Sequence, residues 1–247
     1  MTSEDKLTSI LSDTTQICTN SENLSWFLAS LKVASKLMKE CKYVADFRQE
    51  CFHFVSDRGL FLCGRTSDEV LQLGFKYYPE VVHKDDFVLL KTIHQVILHF
   101  ESYPDMSYND LHCFVYNFRL RYGRNWLMVC QKVAPLIVDD SSFVAVCIVS
   151  DAVIETTKLY AYFDKGKVRR EYSIDHNYWK KDSQFVLTPH ENDILVFYKQ
   201  GKTVKQIADS IGRSEQTIKN LKVELFEKLG VKNMQQAISF SENHFLI

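Results

Sequence analysis

Between Ser214 and Lys228 the chain sets hydroxyls, amides and ammonium groups at a spacing that suits contact with a polyanion. Ser214 can cap a helix, and Ile218, Leu221, Leu225 and Leu229 recur at three- and four-residue steps, which makes them an inward stripe. That stripe leaves Gln216, Thr217, Lys219, Asn220, Lys222 and Val223 partly free to face outward. Donors and cations on such a face are the groups that reach phosphates and base edges in the major groove of duplex DNA.

Other polar clusters carry less chemistry. His83, Asp85 and Asp86 lie close together, and Cys51-Phe52-His53 offers a possible ligand pair. The chain nevertheless has no H-E-x-x-H, no Cys and His set with zinc spacing, no P-loop and no G-x-S-x-G elbow. His94 and His99 fall on different faces of a helix. No catalytic residue, metal site or cofactor is therefore expected, and the chain is not read as an enzyme. His83 and its carboxylates are expected to fix a loop and a helix start. Haem needs only one helical His, so the sequence alone leaves it open.

The elements that must position the Ser214 segment are well marked. In Leu187-Thr188-Pro189-His190-Glu191, Thr188 can cap, Pro189 suits the first helical position, and Glu191 can reach back as in a capping box. Ile194, Leu195, Phe197 and Tyr198 form the apolar side of that helix, and Gly201 closes it. A short helix from about Val204 to Ser210 buries Ile207 and Ala208, and Ile211-Gly212 then turns the chain into the Ser214 helix. Two short helices joined by a tight Gly turn make a helix-turn-helix unit.

The formal net charge of −1 excludes a global basic field, so any nucleic-acid contact rests on local Lys and Arg. The seven Cys residues include no C-x-x-C pair and read as reduced thiols of a cytoplasmic protein. MTSEDKLTSILSDTTQ lacks a leader's apolar core, and no apolar run is long enough to span a membrane. A chain of 247 residues, at roughly 150 per domain, suggests one large or two small domains.

Upstream, Leu24, Phe27, Leu28, Leu31, Ala34, Leu37, Met38 and Cys41 predict a helix capped by Asn20 or Ser21. It suits either packing on its own domain or dimerisation. Tyr43 to Phe47 and Cys51 to Val55 read as a hairpin, and Thr66-Ser67-Asp68-Glu69 starts a helix ended by Gly74. Pro79 marks a loop. A longer helix begins at Asp85 or Asp86 and carries Phe87, Leu90, Ile93, Ile97 and Phe100. Three strands follow: Leu111 to Tyr122, with Phe114, Tyr116, Phe118 and Leu120 on one face, then Trp126 to Val138 and Phe143 to Ser150. Residues 157–182 read as a hairpin turning at Asp164-Lys165-Gly166-Lys167, either a connector between domains or an extension of the sheet.

Two resemblances gather these segments. Two strands, helices, then three strands is the order of a PAS domain, and residues 41–150 resemble PAS-like sensor domains in Val82-His83-Lys84-Asp85-Asp86 and Phe118-Arg119-Leu120-Arg121. Family members usually carry Pro where this chain has Lys84. Residues 187–247 resemble a LuxR-type (GerE-type) DNA-binding domain in LTPHENDIL, Gly201, Lys205-Gln206-Ile207-Ala208, SEQTIKNLKVELFEKLGVKN and Ala237-Ile238. The resemblance implies that Lys219, Asn220 and Val223 approach base edges, while Ser214, Gln216, Thr217, Lys222, Lys228 and Lys205 approach phosphates. It implies a fourth helix from about Asn233 to Asn243, with Ala237 and Phe240 on its apolar side, that forms either a dimer contact or packing within the domain. Members often have His at Leu221, an apolar residue at Arg213, and basic residues at Val223 and Glu224. Positive and negative charges nearly cancel in this segment, so strong binding is expected to need a homodimer on double-stranded DNA.

The expected fold is α+β: a helical segment (1–40), a PAS-like antiparallel sheet with helices (41–155), a hairpin connector (156–184) and an all-α four-helix LuxR-type domain (185–247). The expected function is a transcriptional regulator in which the PAS-like part senses a small molecule or protein partner and controls DNA binding. The alternative is an interaction module that pairs with another regulator and does not bind DNA by itself. Neither a phosphoacceptor receiver nor a flavin photoreceptor fits, because the parallel βα pattern and the reactive-Cys helix are missing.

Overall fold

The computed structural model describes residues 21–38, 40–152, 157–163, 168–181 and 186–247. Asn20, Cys18, the segment MTSEDKLTSILSDTTQ and the turn expected at Asp164-Lys165-Gly166-Lys167 lie outside the described residues. Packing divides the chain into two units. The first holds the described residues up to Tyr108 with Arg119–Leu127 and Gln131–Ser150; the second holds Asn109–Phe118, Met128–Cys130 and the described residues from Asp151 to Ile247.

In the first unit, helix α1 (Ser21–Ser35) turns Leu24, Phe27, Leu28, Leu31 and Ala34 half inward, as their spacing predicts, but it stops short of the expected end: Leu37 and Met38 are exposed and Cys41 belongs to a strand. Strand β1 (Cys41–Asp46) is buried along its whole length, between β2 (Cys51–Val55) and β5 (Phe143–Asp151), both antiparallel to it. With β4 (Asn125–Val138) the strand order is β2-β1-β5-β4. Asp46 organises the polar link after β1: its Oδ1 accepts from the amides of Arg48, Gln49 and Phe143 at 2.9–3.1 Å.

Thr66 caps α2 (Ser67–Leu73) in a full capping box with Glu69. Pro79, expected in a loop, instead stands in the first turn of a short helix, α3 (Tyr78–Val81). Proline is tolerated there because the amide it lacks would have no intrahelical partner. His83 then caps α4 (Lys84–Leu98), its Nδ1 accepting from the Asp85 amide at 3.3 Å.

The interior is aromatic. Tyr43 stacks on Phe61 at 4.3 Å, Phe52, Phe75 and Tyr78 close around them, and the Tyr43 and Tyr78 hydroxyls lie 2.9 Å apart. His94 packs edge-on against Phe47 at 4.9 Å, and burial pushes its imidazole down to about 3. It is therefore held neutral at ordinary pH.

In the second unit, β6 (Leu159–Phe163) pairs with β3 (Leu111–Tyr122), β7 (Val168–Ser173) with β6, and β8 (Tyr178–Lys181) with β7, all antiparallel. Of the two readings of residues 157–182, this pairing is that of a sheet extension. Burial on β3 is two-faced from Cys113 to Phe118, wider than the single face of Phe114, Tyr116 and Phe118. Period-two alternation marks a strand buried on one side only, and Cys113, Val115 and Asn117 here turn to a covered side as well.

Four helices complete this unit: α5 (Pro189–Lys199), α6 (Val204–Ile211), α7 (Glu215–Leu229) and α8 (Met234–Asn243). The end of α8 is anchored on β6. His244 Nδ1 lies 2.6 Å from the Tyr162 hydroxyl, and Phe245 packs on Tyr162 and His112 at 5.1 Å each.

Candidate nucleic-acid interface

Local chemistry starts each of the four helices. Thr188 Oγ1 accepts from the Glu191 amide while Glu191 accepts from the Thr188 amide, and Thr203 with Gln206 repeats that exchange at α6. Ser214 Oγ accepts from the Thr217 amide at 3.1 Å, and Asn233 Oδ1 from the Gln236 amide at 2.9 Å. Such caps contribute about 1 kcal/mol each, by satisfying amides that have no helical partner.

Gly212 ends α6 in the left-handed region, at φ 70°, and the Arg213 amide donates to the Ala208 carbonyl at 3.0 Å. This turn costs a side-chain-bearing residue conformational energy and costs glycine almost none. It redirects the chain so that α7 crosses α6. Ile218, Leu225 and Leu229 then enter a core with Ile194, Leu195, Ile207, Ala208, Val231, Ala237 and Phe240, packed by the half-buried Leu221.

With that stripe buried, the opposite side of α7 is left to solvent. Ser214, Gln216, Lys219, Asn220 and Val223 are exposed, as is Lys205 on α6; Thr217 and Lys222 are half-buried. The Gln216 side-chain amide donates to Asn220 Oδ1 at 3.0 Å, one helical turn on, so the two amides form a linked pair on the surface. One face of the N-terminal half of α7 thus carries hydroxyls, amides and a lysine side by side.

Two expected groups are placed differently. Lys228 lies at the far end of α7, half-buried, with its Nζ 2.7 Å from Glu191 Oε2. Burial would raise the Glu191 carboxyl, but hydrogen bonds from Lys228 and Thr188 outweigh it and hold the group below its ordinary value. Ala237 and Phe240 are enclosed in the domain's own core, with Phe240 against His244 at 4.2 Å. The packing alternative for the fourth helix is thus the one its apolar side follows.

Residues 185–241 match the family model for bacterial regulatory proteins of the luxR family. They form a LuxR-type helix-turn-helix domain. No curated protein matches the chain. Among solved structures it is similar to a Vibrio cholerae VqmA dimer without target DNA, with 14% identity over 88% of this chain and 87% of that one and a TM-score of 0.34. It is also similar to a Vibrio cholerae VqmA–ligand–DNA complex (13% identity, 87% of each chain, TM-score 0.35) and a phage VqmA–DPO complex (16%, 92% and 93%, TM-score 0.29). TM-scores in this range assign neither ligand nor operator to this chain.

The LuxR-type domain also holds features that sequence reasoning missed. Arg213 is exposed in the turn that leads into α7. The T-x-x-Q signature at Thr203 was available as a helix start. Lys202 sits over the Phe197 ring at 3.7 Å, a contact between residues with no helical spacing to announce it. No group of His, Cys, Asp and Glu fit to hold a metal occurs among the described residues, and none of their helices is long and apolar enough to cross a membrane.

Proposed function

We propose that this chain is a cytoplasmic, DNA-binding transcriptional regulator whose LuxR-type domain lays α7 in the major groove of duplex DNA. The observation that carries the reading is the exposed face of the N-terminal half of α7, presented by a Gly turn and backed by a fully apolar inner side. A helix offered this way fits the groove, with phosphate contacts setting its position and base contacts its specificity.

In this reading Lys219, Asn220 and Val223 meet base edges, and Lys205, Ser214, Gln216, Thr217 and Lys222 meet phosphates. Lys228, already paired with Glu191, adds least. The protein acts as a homodimer on DNA, which compensates for the small charge excess of each domain. Dimer contact through α8 falls to its outer side beside Ala237 and Phe240, where Gln235 is exposed. Residues 41–155 act as a PAS-like sensor of a ligand or partner, with 1–40 as a flanking segment and β6–β8 extending the sheet. Support for that part is the order of two strands, helices and three strands around a buried aromatic interior.

Lys219→Ala tests the assignment. Affinity for a target fragment is expected to fall by about 1–3 kcal/mol with loss of discrimination at one base position. An unchanged affinity and footprint removes α7 as the reading helix. The near balance of charge favours a second reading, a module that pairs with another regulator and leaves DNA alone. Binding that weakens steeply with salt supports the first reading; none even in dilute buffer, with a regulator captured instead, supports the second.

A further inference from the structure

A surface cleft of about 760 Å³ lies in the first unit, outside its aromatic interior. One wall is α3 and the start of α4, with Glu80, His83, Lys84 and Phe87; the other is the β3–β4 hairpin tip, with Arg121, Arg124 and Trp126. Its volume falls within the range of small-molecule sites, roughly 300–1,000 Å³.

The walls are held by the framework beneath them. Val82 bridges Leu120, and the His83 amide donates to the Arg119 carbonyl at 3.0 Å. The Arg119 guanidinium grips Asp86 through two hydrogen bonds, of 2.8 and 2.6 Å, and the Arg119 amide adds a third of 2.7 Å. That grip neutralises the buried carboxylate closest to the cleft. Glu80, the acidic residue in the lining, is paired with Arg65.

The other charged groups of the lining are positive; Asp85, beside Lys84 but outside the lining, turns its carboxylate to His83 and Arg119, at 3.6 and 3.9 Å. Lys84, Arg121 and Arg124 all face solvent, and among the described residues neither Lys84 nor Arg124 is engaged in an ion pair or hydrogen bond; Arg121 gives one donor to the Glu80 carbonyl. Trp126 is 46% exposed, its indole steadied edge-to-face on His83 at 4.8 Å. A concave surface with uncompensated cations focuses its field on anions, and a flat exposed indole offers a stacking wall.

Lys84 sharpens the point. Proline, serine or a carboxylate suits the start of a helix, whereas a cation there opposes its dipole. Here the first residue of α4 is a lysine. Helix formation gains nothing from that choice, and the cleft gains a cation.

We propose that this cleft binds a small organic anion, an aromatic ring bearing a carboxylate or phosphate, with the ring on Trp126 and the charge between Lys84 and Arg124. Binding here does not depend on how the LuxR-type domain acts, because it is read from the ligand itself.

Calorimetry on the full chain with phenylacetate, phenyl phosphate and the neutral benzyl alcohol tests it. The anions are expected to bind and the alcohol to bind at least about tenfold more weakly, with the stronger anion naming the headgroup. Lys84→Gln with Arg124→Gln should weaken the anions by about tenfold or more. Lys84→Gln alone should raise the melting temperature while lowering affinity, a pairing that a purely structural lysine does not produce. Equal binding of the alcohol, unchanged affinity in the double variant, or no saturable heat up to about 10 mM overturns the proposal.

Discussion

The LuxR-type domain and the first unit are each stabilised internally, by interactions of different range. In the LuxR-type domain the hydrogen bonds that start each helix join residues three apart: Thr188 with Glu191, Thr203 with Gln206, Ser214 with Thr217, Asn233 with Gln236. In the first unit, hydrogen bonds join distant segments: Asp86 with Arg119, Asp46 with Phe143, Tyr43 with Tyr78. Short-range caps let a DNA-reading helix form with its neighbours from one stretch of chain. Long-range clamps make a surface such as the Lys84–Trp126 cleft exist only once strands and helices far apart in sequence have met.

Breaking one clamp should therefore cost more than breaking one cap. Asp86→Ala strips Arg119 of its buried partner, and because the guanidinium itself is 34% exposed the loss is expected to be that of charged hydrogen bonds, roughly 1.5–3 kcal/mol. A denaturation midpoint should fall accordingly, with amide exchange quickening at α4 and the β3–β4 tip. A change within measurement error would mean that water serves Arg119 as well as the carboxylate does.

Glu191→Gln comes next, because Glu191 is both a cap and a long-range partner, joining α5 to Lys228 of α7. We expect a loss of roughly 1–2 kcal/mol at neutral pH. The sign with pH follows from the depressed carboxyl. Its contribution is full above 4.5, the ordinary glutamate value, and is lost as pH falls through the lower folded value. Wild type and variant should thus converge on acidification; a gap that persists in acid would show that shape, and not charge, is what Glu191 supplies.

The smallest effect belongs to backbone geometry. Gly212 meets no atom that an added methyl group would strike, so Gly212→Ala should cost only the left-handed conformation, about 1 kcal/mol. Urea titration of the variant measures that cost. A value several times larger would mean that the α6–α7 turn has shifted, and DNA affinity would fall with it.

The same contrast explains which features were legible in the sequence. Thr188-Pro189, the Gly212 turn and the Ile218, Leu225 and Leu229 stripe were legible because helix starts, stops and faces depend on neighbours within a turn or two. The α1 face, the β1–β2 hairpin and the capping box of α2 were legible for the same reason. Pro79 misled, since a proline at a helix start and a proline in a loop look alike until the following residues are seen to coil. The two-sided burial of β3 could not be foreseen, because it depends on what covers each face.

Residue order by itself determined which segments coil, where α7 begins and which of its sides must be apolar, because backbone geometry and side-chain period act over a few residues. Only the folded arrangement decided that Lys228 would spend its charge on Glu191, that Ala237 and Phe240 would fill the domain's own interior, and that Lys84, Arg124 and Trp126 would share a cleft. Those outcomes turn on which distant groups arrive within reach of one another. A linear pattern does not encode that distance; packing sets it.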